Sequence, residues 1–350
     1  MIPVKLTTLA ALSSIPADTI IDVRSPTEFT EDHLPGAINL PVLSDAERAE
    51  VGTIYAQDSA FRARKIGAAL LSANAARHLQ GPLADKPGEW QPLVYCWRGG
   101  QRSDSFATIL DQIGWRVRLV EGGYRSYRTL VVNALYTTPL LHKLCVIEGG
   151  TGTAKTRLLE HLREAGAQVI DLEGIAQHRG SLFGGLSQDQ PSQKMFESHL
   201  ATALGHLDPA QTTWIEAESS KIGARLIPPS LWARMCAAPR VELHAPLDAR
   251  ADFLCRAYAD LTQDAVTLHR LIDKLRPYHA AETIASWQAC GSSGDFATLA
   301  ARLVSEHYDP RYAKSATRSD TSMRAITLDD LSDATLASAA RALTSQTIPA

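Results

Sequence analysis

Short apolar runs alternate with stretches of helical period along the first part of the chain. Ile20-Ile21-Asp22-Val23-Arg24 reads as a buried strand ending in a polar turn, and Ala37-Ile38-Asn39-Leu40-Pro41 as a short edge piece. Arg64 to Leu79 carries a helical apolar period. Leu93-Val94-Tyr95 predicts a second buried strand that runs straight into the polar segment YCWRGGQRS, Tyr95 to Ser103. Ser103 to Ile113 then predicts a helix stopped by Gly114, and Arg116 to Val120 a strand closed by Glu121-Gly122-Gly123. Strands alternating with helices imply a mostly parallel sheet covered on both faces.

A second alternation starts after Thr137-Thr138-Pro139. Leu144 to Ile147 reads as a strand and Lys155 to Glu164 as a helix ended near Gly166. Gln168 to Asp171, Thr213 to Glu216 and Val241 to His244 read as further strands, and Leu247 to Leu261 as an Ala-rich helix. From Leu268 onward the pattern is helical, with a polar linker at Ser315 to Met323 and an amphipathic helix at Leu328 to Leu343. The expected organisation is an α/β domain over 1–137, a second α/β domain with a helical extension over 138–314, and linker plus helix over 315–350.

Composition sets limits on this picture. The chain has 350 residues, enough for two ordinary domains, with 45% hydrophobic and 21% charged residues. No apolar run is long enough to span a membrane, so no membrane partner is expected. The segment MIPVKLTTLAALSS lacks the charged start and long apolar stretch of a secretory signal, which makes the cytoplasm the expected compartment. The five cysteines, Cys96, Cys145, Cys236, Cys255 and Cys290, show no zinc or CxxC spacing, so no metal site is expected. Four of them read as reduced, buried hydrophobes. Cys96 differs, because it follows a strand, precedes two glycines and stands near Arg98 and Arg102. Such a loop can turn consecutive N–H groups inward around a sulfur, and a helix N-terminus with cations would favour the thiolate. Arg98, Gly99, Gly100, Arg102 and Ser103 are the candidate cradle for Cys96.

DVRSPTEFTEDHLPGAINLPV (Asp22 to Val42), the Cys96 loop and LVEGGY (Leu119 to Tyr124) resemble, in order and spacing, a single rhodanese domain. The resemblance implies that Cys96 is the residue that carries a transferable chalcogen. Asp32 stands where that family has glycine and reads as a surface change of little consequence. Five residues separate Cys96 from Arg102, one more than in sulfur-transferring rhodaneses, a width closer to the tyrosine phosphatase loop. Phosphatases place a histidine before the cysteine, where this chain has Tyr95.

GGTGTAKT, Gly149 to Thr156, follows an apolar strand and opens a helix, the context a phosphate loop requires. Gly149, Gly150 and Gly152 permit close backbone approach, Lys155 supplies a point charge, and Thr156 a hydroxyl for phosphate or magnesium. Ala154 replaces the usual glycine before the lysine, tolerable if that residue is already helical. Asp171, Glu216 and Glu218 are the candidate acidic partners, none with a clean signature for magnesium.

DLEGIAQHRGSLFGGL, QPSQKMFE, EAESSKIG and YDPRY follow, dense in polar residues and glycine, and they contain His178, Arg179 and Lys194 as supporting candidates. Behind a rhodanese-like domain and a phosphate loop, these segments resemble the tRNA 2-selenouridine synthases over about residues 4 to 314. The resemblance implies an α/β rhodanese-like domain followed by a P-loop NTPase-like α/β domain with a helical C-terminal part. It implies a transferase acting on 2-thiouridine at wobble position 34 of the tRNAs for Lys, Glu and Gln, with selenophosphate and geranyl diphosphate as co-substrates. It also implies an S-geranyl intermediate, Cys96 bearing selenium, and the phosphate loop gripping the diphosphate. A selenophosphate supplier would be a partner, magnesium a companion of the phosphates, and no tightly bound cofactor is expected.

Other readings remain open at this level. An ATP-dependent tRNA sulfurtransferase using a Cys96 persulfide would need the same two loops. A regulatory module with an inactive rhodanese-like domain, or a phosphatase joined to a kinase, would also carry them. The net charge of −3 gives no global pull toward nucleic acid, so RNA binding would have to rest on local clusters. One is Arg98, Arg116, Arg118, Arg125 and Arg128; the other is Arg179, Lys194, Lys221 and Arg225. Both are expected along the anticodon arm, with binding that weakens as salt rises.

Overall fold

The computed structural model describes residues 1–185, 189–316 and 323–345. The chain forms two compact units, Met1–Pro139 with Pro191–His206, and Leu140–Gln190 with Leu207–Ala350. Each holds a five-stranded parallel sheet with helices, in line with the α/β reading.

In the first unit β1 (Ile2–Val4), β2 (Thr19–Asp22), β3 (Ala37–Asn39), β4 (Pro92–Tyr95) and β5 (Arg118–Val120) lie in the order β1-β5-β4-β2-β3. β4 is central and buried throughout, and Asp22 pairs with Tyr95, so β2 and β4 end side by side. Ile21, Val94, Phe106 and Leu110 fill the core, with Trp90 and Trp115 edge to face at 5.0 Å. The DVRSPTE segment explains its own shape. Arg24 is buried, pairs with Asp22 at 2.6 Å, donates to the Asp32 carbonyl at 2.6 Å and lies over the Tyr124 ring at 4.0 Å. Ser25 and Glu28 form a capping box at the start of the helix Pro26–Glu31.

Two features of this unit depart from the sequence reading. Asp32 is no surface residue: it is 1% exposed and accepts from Tyr124 Oη at 2.7 Å and Ser198 Oγ at 2.9 Å. Ser198 belongs to the helix Gln193–Gly205, so the QPSQKMFE segment packs in the first unit rather than within a continuous 138–314 domain. Glu197 on the same helix takes Arg128 and the Tyr136 hydroxyl. Local pattern cannot reveal an acceptor whose partners lie 92 and 166 residues away.

In the second unit β6 (Lys143–Gly149), β7 (Gln168–Ile170), β8 (Thr212–Glu216), β11 (Arg240–His244) and β12 (Met323–Thr327) form a sheet in the order β12-β11-β6-β8-β7. β9 (Lys221–Ile222) and β10 (Arg225–Leu226) make a separate two-stranded hairpin. β12 is a correction, since its residues read as linker and helix; five residues are too few for alternation to declare itself. Most of the polar linker lies outside the described residues. The helix Asp333–Thr344 buries Leu336, Ala340 and Leu343 in the core that also holds Leu158, Leu162 and Trp214. The expected Leu247 to Leu261 helix breaks at Tyr258 into Leu247–Ala257 and Ala259–Thr262. A second core, with Leu268, Ile284, Trp287, Leu299 and Leu303, lies among the helices that follow. Among the described residues no helix is long and apolar enough to cross a membrane.

Replacing Asp32 by Ala should destabilise the first unit by about 1–3 kcal/mol, because two buried hydroxyls lose their acceptor. Asp32→Asn keeps an acceptor oxygen and should cost less. Denaturant titration of both variants checks the order, and equal losses would contradict it.

Candidate functional site

Each unit presents one loop of chemical character at the carboxyl end of a central strand. In the first unit β4 delivers Cys96, which is 4% exposed, and the helix Gln101–Ile113 begins five residues later. Ser103, fully buried, donates from Oγ to Cys96 Sγ at 3.1 Å and to the Gly100 carbonyl at 3.1 Å. The glycine pair of LVEGGY backs the loop. The Tyr124 N–H donates to the Cys96 carbonyl at 2.8 Å, and the Arg125 N–H to the Trp97 carbonyl at 3.0 Å. Gly123 has φ +59°, and a Cβ there would stand 2.3 Å from the Cys96 oxygen, so no other residue fits.

The loop arginines behave differently from expectation. Arg102 is committed to Glu28 at 2.7 Å, and Arg98 points to solvent as an exposed residue. Burial pushes the Glu28 carboxyl up, but Arg102 and Arg48 outweigh it and hold the group below its ordinary value. Gly99 and Gly100 sit in the turn itself, Gly100 as the helix N-cap. Next along the chain from Cys96, Trp97 lines a cleft with Tyr124, Arg125, Arg128, Thr129, Val132 and Lys194; Cys96 itself is not in its wall. Lys194 therefore belongs to the first unit, where it also pairs with Glu31 at 2.6 Å. Of the other cysteines only Cys145 is buried; Cys236 is exposed, and Cys255 and Cys290 are half-buried, contrary to the uniform burial expected.

In the second unit β6 ends in the phosphate loop, and the helix Lys155–Glu164 follows. Lys155 Nζ donates to the Gly149 carbonyl at 2.9 Å, curled over the loop. Gly152, Lys155 and Thr156 line a cleft with Thr151, Glu173, Arg179 and Glu218. Ala154 is 3% exposed and has φ +61°, ψ +33°. It is thus left-handed rather than helical, a conformation that costs an L-residue about 1–2 kcal/mol. Arg250 was not singled out from the sequence, yet it braces the loop. Its guanidinium donates to the Thr151 carbonyl at 2.7 and 2.9 Å and to Asp309 of YDPRY at 2.7 and 3.0 Å.

The acidic candidates sort clearly. Asp171 caps the helix Leu172–Ala176 through the Gly174 N–H at 2.7 Å. Glu173, two residues on and unremarked in the sequence, accepts from Thr156 Oγ1 at 2.8 Å. Glu216 is fully buried, takes the Glu173 N–H at 2.7 Å on Oε1, and leaves Oε2 without a partner. Burial first, then Asp171 and Glu173, push its pKa well up. Burial and Glu173 push Glu218 to about 8. Both shifts favour the neutral carboxyl. His178 accepts the Gly180 N–H at 3.1 Å, a turn contact, and burial lowers its pKa. Arg179 faces the cleft, paired with Asp260 at 3.1 Å and stacked on Tyr258 at 4.6 Å. Among the described residues no group of three His, Cys, Asp or Glu is arranged to hold a metal ion.

Two family models match the chain: a rhodanese-like domain over residues 6–130, and the tRNA 2-selenouridine synthase AAA domain over residues 142–280. Proteins named tRNA 2-selenouridine synthase are similar over much of its length. The one from Nitrosomonas europaea is 38% identical over 247 residues, 69% of this chain and 64% of its own. That from Psychromonas ingrahamii is 35% identical, covering 71% of this chain and 67% of its own. That from Shewanella loihica is 33% identical over 279 residues, 79% of this chain and 72% of its own. The match to the Nitrosomonas europaea protein thus takes in a little under two thirds of that relative's length.

Ala154→Gly relieves the left-handed strain and should stabilise the second unit by about 1 kcal/mol, raising its Tm by about 2–4 °C. Calorimetry would detect it, and an unchanged or lowered Tm would refute the strain. Glu218 titrates near 8 in the fold against 4.5 when unfolded. Its neutral form is the one the fold favours, so the stability it contributes is complete below about pH 4.5 and is lost as pH rises through about 8. Glu218→Gln should therefore gain on the unmodified chain as pH rises across that window. A constant difference in Tm from pH 5 to pH 9 would contradict the assignment.

Proposed function

The chain belongs to the tRNA 2-selenouridine synthase family, and on that premise we propose that it replaces sulfur by selenium in 2-thiouridine at wobble position 34 of tRNA. One observation carries the reading: a built phosphate loop and a separately built cysteine loop occur in one chain. Selenide does not readily displace thiolate from a pyrimidine, whereas an alkylated sulfur can leave. In the first step the sulfur of 2-thiouridine attacks C1 of geranyl diphosphate as N3 loses its proton. The S–C1 bond forms, the C1–O bond breaks, and inorganic diphosphate departs. Lys155, Thr156 and the loop N–H groups hold and neutralise that diphosphate, which requires no ATP hydrolysis. Magnesium, when bound, would share charge with the phosphates. Thr156 and Glu173, hydrogen-bonded to each other at 2.8 Å, would hold it together with the substrate's own oxygens.

In the second step the C2–Se bond forms, the C2–S bond breaks and the geranyl thiol leaves. Selenium originates from selenophosphate: water takes the phosphoryl group, the P–Se bond breaks, inorganic phosphate leaves, and the hydrogen selenide so released, positioned by Cys96, attacks C2. The cleft at Trp97, the residue after Cys96, supports an RNA substrate. Half-buried Trp97 offers a ring face, and exposed Arg125 with half-buried Lys194 positive charge, the combination that receives an unstacked nucleotide. The tRNAs for Lys, Glu and Gln and a selenophosphate supplier are the proposed partners.

Mass analysis of tRNA nucleosides made with the purified chain and its variants tests both roles. Cys96→Ala should accumulate S-geranyl-2-thiouridine and make no 2-selenouridine. Lys155→Ala should lose both products, with geranyl diphosphate affinity down roughly 10- to 150-fold, the loss of a charge-assisted contact worth about 1.5–3 kcal/mol. Near-normal selenation by Cys96→Ala would remove the cysteine from the reaction. Brisk tRNA-stimulated ATP hydrolysis without response to geranyl diphosphate would favour an ATP-dependent sulfurtransferase.

A further inference from the structure

The phosphate cleft runs into a second chamber of opposite character. Thr151, Ser181, Leu254, Tyr258 and Tyr308 line both spaces and form the neck between them. Beyond the neck lies a cavity in which only Cys255 and Thr262 bring a polar side chain. Its remaining walls are apolar, with Phe183, Leu261, Leu268, Phe296, Leu299 and Leu303 the largest. At the neck the Ser181 and Tyr258 hydroxyls lie 3.1 Å apart. The Tyr308 hydroxyl is buried without a hydrogen-bond partner, at the end of the π-helical turn Val304–Tyr308.

These walls discriminate between classes of diphosphate. A nucleoside would bring base and ribose polar groups against apolar side chains, and each group left unpaired would cost about tenfold or more in affinity. A hydrocarbon meets no such penalty, and each methylene buried gains roughly fourfold. The chamber also has an end. Leu268 and Leu299 converge on Gly291 of the helix Ala281–Ser293, where an added Cβ would stand 3.3 and 3.8 Å from their Cδ2 atoms. Trp287 and Ile284, fully buried on that helix, close the layer behind.

We propose that this chamber takes the hydrocarbon tail of the diphosphate donor and that Leu268 and Leu299 limit the tail's length. The proposal rests on reading the phosphate loop as a diphosphate site. It assigns the specificity of that site to helices beyond residue 280, together with Phe183 and the helix Ala265–Asp273.

Calorimetric titration of the full chain with inorganic pyrophosphate and with dimethylallyl, geranyl and farnesyl diphosphates tests it. Geranyl diphosphate should bind about a hundredfold or more tighter than pyrophosphate. Leu299→Trp should remove most of that advantage while leaving pyrophosphate affinity within about twofold, which also reports that the fold is intact. Leu268→Phe, on a different helix, should do the same, and Leu299→Ala should shift preference toward farnesyl diphosphate. A geranyl advantage that survives both bulky variants would overturn the proposal, as would a geranyl diphosphate no tighter than pyrophosphate. ATP affinity that falls with Leu299→Trp would place a nucleoside in the chamber instead, and would also overturn it. Failure of pyrophosphate to bind, with a tail-dependent affinity that still responds to Leu299, would sink the phosphate-loop reading and leave the chamber standing.

Discussion

A parallel strand buried on both faces can offer its backbone to a ligand only where it ends, and both units are organised around that restriction. β4 and β6 are flanked by strands on both sides, and each gives way at its carboxyl end to a loop whose N–H groups are free of the ladder. A helix then starts within a few residues, adding its own unsatisfied N–H groups. The cysteine loop and the phosphate loop are therefore two versions of one backbone arrangement. What separates them is the side chain at the turn, Cys96 in one case and Lys155 in the other, and what stands behind it. The Gly122-Gly123 turn backs the cysteine loop by main-chain hydrogen bonds, whereas Arg250 and Asp309 brace the phosphate loop by charge.

The carboxyl groups near Thr156 show how burial and charge divide labour. Glu173 and Glu218 line the cleft beside Lys155 and Glu216 is buried against Glu173, so three ionised carboxylates here would repel one another. Burial shifts Glu216 and Glu218 toward their neutral forms, so they act as hydrogen-bonding walls rather than as fixed negative charges. Lys155 and Arg179 are the cations that line the cleft.

Local patterns made the two loops, the strands that feed them and the helices that follow legible in the sequence. An apolar run, a glycine-rich turn and a helix start are all encoded within about twenty residues. Asp32 could not be read that way, because its burial depends on Tyr124 and Ser198, far along the chain. Glu173 was hidden behind Asp171, which looks like the acid after a strand but serves as a helix cap. Arg250 sits in an Ala-rich helix where an arginine reads as solvated surface, and only the fold turns it onto the Thr151 carbonyl. β12 is short, and its pairing with β11 is set by the sheet rather than by its own alternation.

The helix Gln193–Gly205 has a consequence for the order in which the molecule can be made. Its Glu197 and Ser198 complete the polar cluster around Arg128, Tyr136 and Asp32, yet it is encoded after the phosphate loop and β7. A ribosome that has released the first 139 residues has not yet supplied this helix, so the first unit waits, with those groups unsatisfied, until residue 206 has emerged. By then the strand and loop of the second unit are already out of the tunnel without β8 or β11 to pair with. Neither unit can finish as an independent bead on a string. A gene cut at the end of the rhodanese-like segment would yield a polypeptide lacking part of its own interior.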